Sequence, residues 1–284
     1  MTEPNYIFAD TATDAESFRL GLIEQIADEA TIDRLEDLGV APGWRCLEVG
    51  AGRGSIAHWL ANRVGPDGYV VAADIDCRHL TGIQNTVDVR TFDIRTETPE
   101  TDSYDLVHCR TLLIHVPHPL AALRRLAAAL RPGGVLLAEE ADYGLYAYGG
   151  HPDAAWLTEK SHQMFAAIES AKVMNPFLGR TLPAMLTTVA LELEGGEVDS
   201  TFARQGEAAY EFERLTAEAA EPAMIAAGIL TQEESYAARA IRSAPTTVMT
   251  TASLIAAWAR RPNNNDIPGL CDGLRARQVT SPQP

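Results

Sequence analysis

Five short apolar runs, separated by helix-like stretches, constrain this 284-residue chain more than any other feature. They are WRCLEV (44–49), YVVAAD (69–74), VDVRTFD (87–93), YDLVHCR (104–110) and GVLLAEEAD (134–142). A strand that is apolar on both faces must be covered on both. Runs of this kind alternating with helices therefore predict a mostly parallel sheet between two helical layers, an α/β fold. The intervening segments have helical spacing. Ile56, Leu60 and Val64 share one face and end at the turn signal GPDG; Pro119 suits a first helical turn, and Leu120, Leu123, Leu126 and Leu130 follow it before RPGG. Phe18, Leu22 and Ile26, then Ile32, Leu35 and Leu38, predict a helix over 12–38 that stops at APG.

The rhythm gives an organisation. Residues 1–40 read as an N-terminal helical lid and 41–142 as the core. Residues 143–178 read as a helical cap insertion, and 179–261 as the C-terminal half of the sheet with a helical insertion at 207–243. Residues 262–284 form a loose tail. Within the second half, 179–192 reads as a sheet-covering helix, 197–205 as a strand, and TTVMTTASLIAAWARRP (246–262) as one final strand.

Charge and cysteine content narrow the function. A net charge of −16 repels a phosphate backbone, so no nucleic acid is expected as partner. No window reaches the ~18 consecutive apolar residues of a membrane span, so no membrane is expected either. The opening residues MTEPNYIFAD lack the basic and apolar regions of a secretory signal, which makes the cytoplasm the expected compartment. Cys46, Cys77, Cys109 and Cys271 lie far apart with no CxxC pair. They predict reduced packing cysteines and no metal site.

The chemistry concentrates in CLEVGAGRGS (46–55), at the end of the first run. In an open parallel sheet, ligands bind beyond the carboxyl ends of the strands. Glycines there let a ligand approach the backbone. Asp74, ending the second run, is placed to accept hydrogen bonds from both hydroxyls of a ribose. The glycine pattern is not that of a dinucleotide site, because Ser55 stands where GxGxxG requires glycine. Glu48 beside the loop disfavours phosphate and suits a ligand carrying an amino group and a positive sulfur.

On LEVGAGRGS (47–55), VVAADID (70–76), FDI (92–94) and YDLVHCRTLLIHVPHPLAALRRLAAALRPGGVLLAEE (104–140), the chain resembles class I S-adenosylmethionine-dependent methyltransferases. It is most similar to the branch of quinone-biosynthesis C-methyltransferases and bacterial small-molecule methyltransferases. The resemblance implies a Rossmann-like seven-stranded sheet of order 3-2-1-4-5-7-6 with the last strand antiparallel. It implies S-adenosyl-L-methionine as cofactor. Glu48, Gly50, Ala51 and Gly52 would surround its methionine part, with Cys109 and Arg110 near the amino group. Asp74 would hold the ribose, Ile75 would flank the adenine, and Asp93 with Ile94 would meet the adenine amino group. An N-terminal segment lies over the cofactor in related small-molecule enzymes. Tyr6 and Arg19 would then contact it, the guanidinium pairing with the methionine carboxylate. The insertion at 207–243 exceeds the family's minimal core and leaves the substrate open.

Bases for a protonated acceptor should project from strand ends into the cleft. His115, Tyr143 and His151 are the candidates, whereas His58 reads as a surface or packing residue. Tyr146, Tyr148, Trp156, Phe165, Met174 and Phe177 could line an apolar pocket, although such residues more often form the cap's own core. The expectation is methyl transfer to an O, N or C nucleophile of a small, partly hydrophobic metabolite, with a homodimer left open. The rival readings are a non-methylating enzyme such as a cyclase, a binding protein that keeps the same site, and, less favoured, an NAD-dependent dehydrogenase.

Overall fold

The computed structural model describes residues 13–80, 82 and 86–263. Tyr6, Cys271 and nearly all of the expected tail lie outside them. The five apolar runs form β1 (Arg45–Val49), β2 (Tyr69–Asp74), β3 (Val87–Thr91), β4 (Tyr104–Arg110) and β5 (Leu130–Asp142). Two later strands, β7 (Glu192–Asp199) and β10 (Ser253–Arg260), complete a seven-stranded sheet of order β3-β2-β1-β4-β5-β10-β7. The first five pair in parallel, Leu47 standing opposite both Val71 and Val107; β10 runs antiparallel to β5 and to β7. This is the expected order, with the final strand inserted between the fifth and sixth.

The continuous apolar runs are explained by cover on both faces. Successive side chains point to opposite sides of a strand. Cys46, Val70, Leu106, Val135 and Leu137 meet Ile56, Leu60 and Val64 of α2 (Ser55–Val64) and Leu35 of α1 (Thr13–Asp37). Leu47, Val71, Val107 and Leu136 meet Leu123 and Leu126 of α3 (Pro119–Ala129), with Leu182 and Leu186 of α5 (Leu182–Thr188). Burying each such leucine stabilises the fold by roughly 1.5–3 kcal/mol.

Beyond β5 the structure departs from the sequence expectation in three ways. The helix expected over 179–192 shrinks to α5, and the sheet strand begins at Glu192 instead of residue 197. The expected strand at 197–205 is two strands, β7 and the short β8 (Phe202–Arg204). The expected single run at 246–262 is divided into β9 (Val248–Thr250) and β10. β9 pairs with β8 and with β6 (Ala147–Gly149) in a separate three-stranded sheet. The physical reason lies in β7, an edge strand whose side chains are almost all exposed, so no apolar alternation announces it. Its Gly195 is required by packing, since a Cβ there would sit 2.4 Å from the Trp258 ring.

The cap is built from α4 (Ala154–Ser170), α6 (Ala208–Ala226) and α7 (Gln232–Arg242). It has its own core of Tyr143, Tyr146, Leu157, Phe165, Tyr210 and Ile241. Thr231 and Glu234 form a capping box at the start of α7. Buried Glu221 accepts from Ser235 at 2.8 Å and pairs with Arg242 and Arg239, holding α6 to α7. α6 packs against α1, and Arg19 lies over the Phe212 ring at 5.4 Å from its centroid.

Candidate functional site

At the carboxyl ends of β1, β2 and β4 a cavity of about 780 Å³ opens and runs beneath α4 and α6. This is towards the upper end of the ~300–1,000 Å³ typical of small-molecule pockets. One half is polar and floored by the glycine loop. Gly50 has φ +77° and a Cβ there would meet Leu112 at 3.2 Å, so glycine is required by conformation and by space. The Gly50 amide donates to Ala73 O at 2.8 Å, fixing the loop to the end of β2.

Asp74 completes that clasp. Its two carboxylate oxygens accept from the amides of Gly52 and Asp76, each at 2.9 Å. Burial pushes its pKa up, opposed by those two amides. A carboxylate has about four acceptor positions, so two remain for a ligand's hydroxyls. Beside it, Ile75 is 49% exposed at the cavity wall, an apolar surface suited to a flat ring. Phe92, Asp93 and Ile94 continue the wall. Asp93 accepts from the Arg95 backbone and grips its guanidinium, which holds its carboxyl below the usual range.

The remaining expected cofactor residues divide. Arg19 and Arg110 reach the cavity wall, whereas Glu48, Ala51 and Cys109 stand behind it. Arg19 donates twice to Glu16, at 2.8 Å each. Arg110 donates to Thr31 at 2.8 Å and Asp28 at 2.7 Å, tying the end of β4 to α1. Glu48 is buried, and its Oε2 has no hydrogen-bond partner among the described residues. A buried, unsatisfied carboxylate oxygen next to a glycine-floored crevice fits a ligand that brings an ammonium group.

The other half of the cavity is apolar. Met164, Phe165 and Ile168 of α4 face Phe212, Ala220 and Met224 of α6 across it. His115 and Tyr143 line it, so two of the three expected bases meet there. His151 does not reach the wall. It precedes α4, its Nδ1 accepting from the Asp153 amide at 3.1 Å. Burial and the charge of Arg19 pull the His115 imidazole down to about 4, and burial drives the Tyr143 phenol well up.

The model of the family described as methyltransferase domain matches residues 21–193, more than half of the chain. The chain belongs to the methyltransferase domain family. Among curated proteins it is 27% identical over 180 residues to methyltransferase str3 of Strobilurus tenacellus, covering 63% of this chain and 64% of that one. It is 36% identical over 105 residues to a ubiquinone biosynthesis O-methyltransferase of Xanthomonas campestris, covering 34% of this chain and 42% of that one. The matches thus span less than two thirds of these relatives. A solved phosphoethanolamine N-methyltransferase 2 of Haemonchus contortus, in complex with S-adenosyl-L-methionine, superposes with a TM-score of 0.54 at 15% identity. It covers 91% of this chain and 59% of that one. That similarity shows the shared fold.

In this methyltransferase domain several site residues escaped the sequence reading. Alternation sends the consecutive Glu139 and Glu140 of β5 to opposite faces of the sheet. Glu139 meets Thr31 and Arg34 of α1, each at 2.7 Å, and His108 Nε2 at 3.2 Å. Burial would lower the His108 pKa, but Glu139 and Glu48 on either side raise it. Glu140 instead accepts from the amides of Leu112, Leu113 and Ile114 at 3.1, 2.7 and 3.1 Å, shaping the turn that carries His115. Acids and a histidine inside otherwise apolar runs were the available signal for this group. Glu213 of α6, buried in the cavity wall, had none, because its helix reads as an ordinary amphipathic insertion.

Proposed function

We propose that this protein is an S-adenosylmethionine-dependent methyltransferase acting on a small, largely apolar acceptor. The observation that carries the reading is the single cavity in which the Gly50–Asp74 clasp at the strand ends continues into the apolar chamber under α4 and α6. Membership of the methyltransferase domain family and the cofactor named for the solved relative support the same donor. The residues present suit it. Asp74 is a ready acceptor for the ribose hydroxyls and Ile75 with Phe92 suits the adenine face, while the unsatisfied Glu48 Oε2 places negative charge behind the glycine loop, which favours a ligand carrying an amino group.

The bound donor supplies an activated methyl group on a positive sulfur. The chain's own contribution is orientation and exclusion of water. Holding an acceptor in line with the methyl carbon is worth up to ~7–11 kcal/mol of the barrier. α1 and α6 close over the crevice through Arg19 and Phe212, and the apolar wall aligns the acceptor's body. No described helix is long and apolar enough to cross a membrane. Cys46, Cys77 and Cys109 are free, in keeping with a cytoplasmic enzyme.

Calorimetric titration with S-adenosylhomocysteine and, separately, with NAD tests the donor. Uptake of the first and not of the second is expected. A folded protein that takes up NAD alone, or neither compound, sinks the reading.

A further inference from the structure

Among the described residues, the acceptor half of the cavity holds two buried carboxylates, Glu16, which pairs with Arg19, and Glu213. Glu213 lies on α6 with Phe212 and Thr216 beside it on the wall, and Phe165 and Met164 belong to the same chamber. Glu213 is 4% exposed, and its Oε1 accepts from the Ala252 amide at 3.2 Å. The ionisable groups gathered there come from three further elements. They are Glu16 and Arg19 of α1, His115 after β4, and Tyr143, Tyr146 and Tyr148 after β5. The charge of Arg19 acts on Glu213, His115 and Tyr143 alike.

We propose that Glu213 is the catalytic base of this chamber and that the acceptor is a hydroxyl group on an apolar skeleton, which the enzyme converts to a methyl ether. This rests on the donor reading above. The acceptor oxygen forms its bond to the methyl carbon, and the carbon–sulfur bond breaks with its electron pair passing to sulfur. The hydroxyl proton passes to a Glu213 carboxylate oxygen and from there to solvent. Atoms and charge balance: a sulfonium and a carboxylate become a neutral thioether and a neutral carboxylic acid.

Three features favour this over the alternatives. Burial pushes the Glu213 carboxyl up to about 7, against the Ala252 amide and Arg19, which matches a base to neutral pH. The His115 imidazole, held down to about 4, is a far weaker base in the same place. A protonated amine would set its charge beside Arg19 in an apolar wall, whereas an oxygen gaining negative charge is favoured by that guanidinium.

The test uses the full-length chain with labelled methyl donor and a panel of 1-naphthol, 2-naphthol and 4-phenylphenol, alongside the corresponding arylamines. Labelled ethers from one or more hydroxyarenes are expected. Glu213→Gln should lower kcat by about 10²-fold or more, the scale of general-base catalysis, and abolish the acidic limb of the pH–rate profile near 7. Glu213→Asp should recover part of the rate with the limb retained. S-adenosylhomocysteine affinity should be unchanged in both variants, which also reports that they fold. The proposal is overturned if donor-binding protein labels only arylamines or labels no hydroxyarene. It is equally overturned if Glu213→Gln keeps its rate and its limb. Loss of S-adenosylhomocysteine binding by the unmodified protein would instead defeat the donor reading on which it rests.

Discussion

Arg34 of α1 and Glu139 of β5, 105 residues apart in the chain, are joined by a buried hydrogen bond of 2.7 Å. The same guanidinium reaches Glu197 at 2.8 Å and Asp199, both on β7. One side chain therefore fastens the helix that covers the cofactor crevice to two strands of the sheet. Breaking a buried pair strands a charge and typically costs 3–5 kcal/mol.

Glu139→Gln should therefore destabilise the fold by about 3 kcal/mol near pH 7, measured by urea unfolding. The loss should depend on pH. Burial alone would raise the Glu139 pKa, yet His108, Arg110 and Thr31 hold it down to about 2, against an ordinary 4.5. A carboxyl whose folded value lies below its unfolded one adds stability above the unfolded value and surrenders it as pH falls. The gap between the two proteins should be full above about pH 5 and shrink as pH falls from 4.5 towards 2. A gap that stays constant across that window would show that the pairing is not ionic.

Asp74→Ala removes the acceptor of the Gly52 and Asp76 amides and the proposed ribose contact. A hydrogen bond to a charged group contributes roughly 1.5–3 kcal/mol, so S-adenosylhomocysteine should bind at least tenfold more weakly in calorimetry. Unchanged affinity would remove Asp74 from the site.

Glu140→Ala orphans three backbone amides, those of Leu112, Leu113 and Ile114. Each unsatisfied buried group costs ~1–3 kcal/mol, so a loss of about 3 kcal/mol or more is expected in the unfolding free energy measured by urea denaturation. Because Leu112 and Ile114 line the cavity, cofactor affinity should fall too. Glu140→Gln, which keeps one acceptor oxygen, should fall between the two.

His115→Asn tests the histidine in the cavity wall. An imidazole held down to about 4 is neutral throughout the physiological range and does not gain or lose a proton there. The pH–rate profile of the variant should therefore keep its acidic limb near 7. Movement of that limb by a full pH unit or more would assign it to His115.

The amphipathic and apolar patterns made the core legible before any coordinates. β1 to β5, α2 and α3 are local elements whose spacing and punctuation announce them, and the glycine loop and Asp74 fall on their ends. The second half was less legible because its elements answer to distant partners. β7 carries Glu194, Gly195 and Gly196 in place of an apolar alternation, since Gly195 must admit the Trp258 ring and the strand's side chains are exposed. The division of 246–262 into β9 and β10 follows from pairing with β6 and β8, which no local pattern encodes.

The amino-acid sequence by itself determined the parallel core and the crevice at the strand ends, because hydrophobic periodicity and turn chemistry act over a few residues at a time; the order of the strands was implied only by the resemblance to class I methyltransferases. Only the tertiary structure decided which ionisable groups share the acceptor chamber. Glu213, Arg19, His115 and Tyr143 come from four separate elements, and burial reshapes the acidity of three of them once the elements meet. Desolvation and Coulomb interactions depend on distance in space, and that distance exists only after the chain has packed.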